Sequence, residues 1–89
     1  MAYIYILECS DGSLYTGWTD DLKKRLKAHN RGTASKYTRA RLPVRMVYFE
    51  EAESKSAALK REAALKKLSR AQKLSLIEQQ GPVPPDRPL

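Results

Sequence analysis

The sequence predicts an α+β domain in which a three-stranded antiparallel sheet is flanked by helices, in the order ββαβαα. Three observations carry that prediction. Two short runs of β-forming residues, 3 to 9 and 14 to 18, flank the turn sequence Ser10-Asp11-Gly12-Ser13, and a third run extends from Val44 to Glu51. The segments after the second and third runs carry apolar residues at helical rather than alternating spacing. With 89 residues, the chain is expected to form one domain, because a core this small does not divide into two self-supporting halves. That domain is placed at residues 1–80. Residues 81–89 carry four prolines after Gly81 and are expected to be an extended, mobile tail.

In the first hairpin the loop length decides which side chains meet. A two-residue turn at Asp11-Gly12 would pair Glu8 with Tyr15 and put Tyr5 and Tyr15 on opposite faces of the sheet. A three-residue loop, with a type I turn over Ser10-Asp11-Gly12 and Gly12 in the left-handed region, sets Leu7 opposite Tyr15 and Gly17 opposite Tyr5. Both tyrosines then share one face, and this is the preferred reading. The other face holds Ile4, Ile6, Leu14 and Trp18, so both faces are apolar and helices must cover at least one of them fully.

Thr19 or Asp20 is expected to cap a helix that runs to about Asn30, with acidic residues in its first turn and Gly32 just past its end. Leu22, Arg25, Leu26 and His29 fall on one stripe of that helix, while Lys23, Lys24 and Lys27 point elsewhere. Arg25 and His29 therefore border its buried side. Residues 33 to 43 show no clean period and read as a basic surface loop. After the strand from Val44 to Glu51, Ser54 caps a helix to about Leu68 that brings Ala58, Glu62 and Leu65 onto one face. Ser69 and Gln72 make a capping box for a last helix through Ile77.

Composition narrows the functional classes. At 42% hydrophobic and 30% charged residues the chain reads as soluble and globular. No apolar run approaches the length of a membrane span, and the first strand meets Glu8 too soon for a signal segment, so a cytoplasmic protein is expected. Cys9 is the only cysteine, which rules out an intrachain disulfide, a cysteine-based zinc site and a dithiol redox pair. The formal charge of +7 is unevenly spread. Nine basic residues and no acidic one lie between Lys23 and Arg45, which points to a polyanion, although charge alone is also compatible with a merely solvated basic face.

One ordered set of residues carries chemistry. Tyr3-Ile4-Tyr5, then Tyr15-Thr16-Gly17, then Arg25 and His29 on a helix and Glu62 on a later one, resembles the GIY-YIG nuclease superfamily, in particular its small stand-alone bacterial members. The resemblance runs over about residues 3 to 75. Tyr3 stands where the eponymous glycine would be, and the asparagine that follows the glutamate in some members is missing, since Asn30 is the only asparagine.

The resemblance implies a divalent-metal-dependent endonuclease with Tyr5, Tyr15, Arg25, His29 and Glu62 as catalytic residues. Phosphodiester hydrolysis needs an activated water, positive charge at the nonbridging oxygens and help for the leaving oxygen. Glu62 is the expected ligand of one Mg²⁺ or Mn²⁺, for which a single carboxylate suffices because the ion keeps most of its waters. Arg25 offers a permanently charged fork that matches a phosphate. Tyr5 orients or deprotonates the attacking water, which requires its pKa to be lowered by metal and arginine, and His29 is another candidate base. Tyr15 is assigned to hydrogen bonding with water or phosphate, and Gly17 leaves space for a close approach. Lys36, Arg39 and Arg41, within the acid-free segment, are the expected nucleic-acid contacts, with DNA favoured over RNA and little sequence preference.

Taken singly, each residue has a plainer reading. Strand tyrosines pack, a helix arginine lies on the surface, a histidine near a helix end meets the dipole, and Glu62 pairs with Arg25. The alternatives to an enzyme are a nucleic-acid binding module of the same fold with little or no cleavage, and a small protein whose basic surface meets a protein partner.

Overall fold

A computed structural model describes residues 1–83. Strands β1 (Ala2–Glu8), β2 (Leu14–Thr19) and β3 (Arg45–Ala52) form one antiparallel sheet in the order β2-β1-β3. Helix α1 (Leu22–Asn30) and the single turn α2 (Lys36–Arg39) separate β2 from β3, and α3 (Lys55–Lys66) and α4 (Arg70–Gln80) follow. The elements occur in the expected order, with α2 as an addition: the segment 33–43 was expected to be all loop. Its turn forms because Ser35 caps it, accepting from the Tyr37 amide, and because Thr38 is drawn into the interior.

β1 is central and reads as an almost unbroken apolar run because both its faces are covered. On one face Ile4 and Ile6 pack with Tyr48, Ala58 and Leu65 beneath α3. On the other, Tyr5, Leu7 and Cys9 pack with Leu22, Val44 and Met46 beneath α1. A β-bulge in the β1–β3 pairing, at Ile6/Leu7, lets Met46 and Phe49, three apart in sequence, serve the same face.

The hairpin has the three-residue loop. The Gly12 amide bonds the Cys9 carbonyl, the Cys9 amide bonds the Ser13 carbonyl, and Gly12 sits at φ 83°. The resulting register places Leu7 opposite Tyr15 and Tyr5 opposite Gly17.

Helix caps differ in detail from the sequence expectation. Asp21, rather than Thr19 or Asp20, caps α1 by accepting from the Lys24 amide, so no acidic residue falls in the first turn; Thr19 instead bonds the Asp21 amide. Ser54 caps α3, which ends two residues before Leu68, and the Ser69/Gln72 capping box is present at α4, which runs three residues past Ile77. The extra turn places Gln80 beside the exposed edge of β3, where its side-chain amide bonds both the amide and the carbonyl of Phe49 and blocks pairing there. The expected tail lies, from residue 84 on, outside the described residues.

Candidate active site

Tyr5 and Tyr15 enter the site from the same sheet face, and α1 lays its stripe of Leu22, Arg25, Leu26 and His29 over that face. Lys23, Lys24 and Lys27 are exposed, as the helical spacing requires. Tyr5 Oη lies 2.8 Å from His29 Nε2, and Arg25 Nε donates to Tyr5 Oη at 3.4 Å. The guanidinium can only donate, so His29 Nε2 is the one acceptor recorded for the Tyr5 hydroxyl proton among the described residues. Tyr15 meets His29 edge-on at 5.2 Å between ring centroids and stacks on Tyr37 at 6.0 Å. Gly17 lies directly under the Tyr5 ring, where a Cβ would come within 2.6 Å of Tyr5 Oη. No positive φ is involved; the glycine is there for the close approach.

Four of the five expected residues thus form one connected group. Glu62 does not join it by contact. Its side chain is mostly buried on α3, 16% exposed, with Lys66 at 3.5 Å as its recorded ion-pair partner, and it is neither sealed in the core nor paired with Arg25. It acts on the group through its field. Burial raises the Tyr5 pKa above the ordinary phenol value; Arg25 opposes this, while Tyr15 and Glu62 add to it. The sequence expectation of a lowered Tyr5 pKa therefore does not describe the protein by itself, because desolvation outweighs the one arginine. His29 is moved the other way, down to about 4, by burial first and by Arg25 second. At neutral pH the phenol keeps its proton and the imidazole is uncharged.

Tyr5 and His29 lie deep in this group, 1% and 0% exposed. The solvent-facing members are Tyr15, Arg25 and Glu62, each partly exposed. Arg25 also borders a surface cleft of about 220 Å³ with Trp18, Thr19 and Asp20. Sequence reasoning missed Thr38. Its side chain is fully buried, and its Oγ1 lies 2.8 Å from His29 Nδ1. No periodic pattern marks this threonine, since it sits in the segment read as loop.

A metal would find a sparse donor set. Among the described residues no three of His, Cys, Asp and Glu cluster. That excludes a tetrahedral nitrogen and sulfur site of the zinc type among them. One partly exposed carboxylate, whose only recorded partner is a lysine, fits a hard, hydrated cation that takes its other ligands from water and phosphate.

The basic residues also sort themselves. Lys36 and Arg39 are exposed on α2. Arg41, by contrast, is committed within the fold, with Nε 3.2 Å from Asp11 Oδ2, Nη1 donating to the Tyr37 carbonyl, and its guanidinium 3.8 Å above the Tyr37 ring. Arg45 is paired with Glu8. The exposed Lys23, Lys24, Lys27 and Arg31 line a cleft of about 360 Å³ on the outer face of α1, with the capping Asp21 at its edge.

The family model for the GIY-YIG catalytic domain matches residues 1–75. A UPF0213 protein of Clostridium perfringens is 61% identical over 77 residues, spanning 86% of this chain and 83% of its own length. Another, from Syntrophus aciditrophicus, is 58% identical over 78 residues, spanning 86% and 90%. The solution NMR structure of a UPF0213 protein from Bacillus halodurans is similar with a TM-score of 0.59 at 46% identity, covering 91% of this chain and 87% of that one.

Proposed function

The chain belongs to the GIY-YIG family, and from that premise we propose that it is a divalent-metal-dependent endonuclease hydrolysing phosphodiester bonds of nucleic acid, DNA before RNA. The observation that carries this reading is the line of groups from Arg25 through Tyr5 to His29, which holds a charged phosphate clamp, a hydroxyl and an uncharged imidazole within hydrogen-bonding reach.

Each member has a task set by its surroundings. Arg25 bonds Tyr5 through Nε and keeps its two terminal nitrogens for the nonbridging oxygens of the scissile phosphate. Tyr5 does not carry a negative charge at rest, so it serves as base only by passing its own proton to His29 as it takes one from the attacking water. The repulsion between Arg25 and a protonated His29 is relieved once the guanidinium is paired with a phosphate. Tyr15 holds the His29 ring edge-on, with its hydroxyl assigned to water or phosphate. Glu62 would hold Mg²⁺ or Mn²⁺, which when bound supplies positive charge to the phosphate and the leaving oxygen.

Lys36 and Arg39 are assigned to the phosphate backbone, together with the exposed lysines of α1. Arg41 contributes mainly by holding Tyr37 and the hairpin turn in place, since Asp11 already offsets its charge. We assign the catalytic unit to residues 1–80 and the activity to the cytoplasm. Among the described residues no helix is long and apolar enough to cross a membrane.

The burial of Tyr5 and His29 favours one second reading, a binding module of the same fold with little cleavage. Plasmid nicking with Mg²⁺, with Mn²⁺ and with chelator separates the two. Metal-dependent nicks are expected; tight, salt-sensitive binding with no cleavage in any metal would install the second reading.

A further inference from the structure

We propose that Thr38 is a positioning residue that fixes His29 in the tautomer carrying its proton on Nδ1, so that Nε2 stands bare toward Tyr5. This rests on the catalytic reading given above.

The line of groups is constrained from both ends. At one end, the Tyr5 hydroxyl is buried and its two recorded neighbours are Arg25 Nε, which can only donate, and His29 Nε2. If Nε2 carried the histidine proton, Tyr5 would accept twice and its own buried proton would have no acceptor among the described residues. Such an orphaned donor is disfavoured in a protein interior. Tyr5 therefore favours an accepting Nε2, and an uncharged imidazole then has its proton on Nδ1.

At the other end, Nδ1–H needs an acceptor, and Thr38 Oγ1 lies 2.8 Å away in a fully buried position. Thr38 is free to accept because its own hydroxyl proton has an outlet, a longer bond of 3.4 Å to the Ser35 carbonyl. Ser35 is the residue that caps α2. The single turn of helix thus aims the threonine hydroxyl at the imidazole, and the donors run in one direction: Arg25 to Tyr5, Tyr5 to His29, His29 to Thr38, Thr38 to Ser35.

In the reaction, one O–H bond of the attacking water breaks and its proton joins Tyr5 Oη. The original Tyr5 O–H bond breaks and its proton joins His29 Nε2. The hydroxide so formed bonds to phosphorus, and the leaving oxygen departs with the electron pair of the broken P–O bond and is protonated by solvent. With the other tautomer Nε2 is already occupied and the transfer stops at Tyr5.

His29 is the only histidine, so long-range ¹H–¹⁵N correlations of the imidazole report this one ring without overlap. Wild type is expected to carry its proton on Nδ1. Thr38→Ser should keep that state, whereas Thr38→Val, which keeps the branched shape and deletes the acceptor, should release the preference, so that rings protonated on Nε2 become a measurable fraction. Single-turnover cleavage should fall about 10²-fold in Thr38→Val, the lower range for a positioned proton acceptor, with nucleic-acid affinity unchanged and with Thr38→Ser near wild type. A wild-type proton on Nε2 overturns the proposal. So does a Thr38→Val protein that keeps both the Nδ1 proton and full cleavage. If Tyr5→Phe cleaves as fast as wild type, the catalytic role of Tyr5 fails instead, and the tautomer spectrum still decides the assignment of Thr38.

Discussion

Replacing Gly17 with alanine puts one methyl group into the most crowded point of the site. The new Cβ would stand 2.6 Å from Tyr5 Oη, 2.8 Å from Tyr5 Cζ and 3.3 Å from Tyr15 Cε2. The first two distances are about 1 Å inside the optimum of roughly 3.5–4.0 Å for carbon contacts. An exposed side chain would swing away cheaply, but Tyr5 is 1% exposed and tethered to His29 at 2.8 Å. Overpacking of this kind costs about 1–3 kcal/mol, and pushing the hydroxyl off its acceptor adds a comparable amount. A loss of at least about 2 kcal/mol lowers Tm by roughly 8–16 °C in a domain of this size. Urea unfolding of Gly17→Ala gives the stability, and single-turnover cleavage of the folded protein gives the activity, expected to fall as far as in Tyr5→Phe. The double variant Gly17→Ala/Tyr5→Phe isolates the cause. Deleting Oη removes the nearest clashing atom, so its stability should exceed the sum of the single effects by about 1 kcal/mol. A Gly17→Ala protein with wild-type Tm and cleavage would refute the packing described for Tyr5.

Other outcomes follow from the same geometry. Glu62→Gln should abolish metal-dependent cleavage while costing only a few tenths of a kcal/mol in urea unfolding, because what it removes structurally is an i,i+4 pair to Lys66. Arg25→Ala should reduce cleavage about 10²- to 10³-fold, as expected for one charged group facing the developing phosphate charge. For His29, whose pKa falls from 6.5 to about 4 on folding, the unfolded chain binds the proton more readily between those values. Its contribution to stability is complete above pH 6.5 and is lost as pH drops toward 4, on the order of 3 kcal/mol, an effect that His29→Gln should erase from the pH profile of unfolding. Lys36→Ala with Arg39→Ala should weaken nucleic-acid binding regardless of sequence and reduce its salt slope by about 1 for each phosphate that is no longer neutralised.

Much of the sheet and of α1 was legible in the sequence because local chemistry dictates it. Gly12 accommodates the left-handed residue of a three-residue loop, and that loop alone sets Tyr5 opposite Gly17. The stripe through Leu22, Arg25, Leu26 and His29 follows from helical spacing. What the sequence hid depends on packing between distant segments. The turn α2 exists through the Ser35 cap and the burial of Thr38 against His29, neither of which leaves a periodic trace. Arg41 reads as one cation among nine, yet its engagement by Asp11 and Tyr37 requires the hairpin turn to lie beside it. The depth of Tyr5 and His29 was equally hidden, since the number of helices over a sheet face does not say how completely a ring on that face is covered.

In the proposed mechanism Tyr5, proton-linked to His29 and clamped by Arg25, activates the water that cuts the phosphodiester. The most direct test is the single-turnover cleavage rate of Tyr5→Phe beside wild type, with Mg²⁺ and saturating nucleic acid, and with binding measured on the same preparations. A fall of at least about 10²-fold at unchanged affinity is expected, the usual contribution of a positioned general base. Equal rates at equal affinity would contradict it.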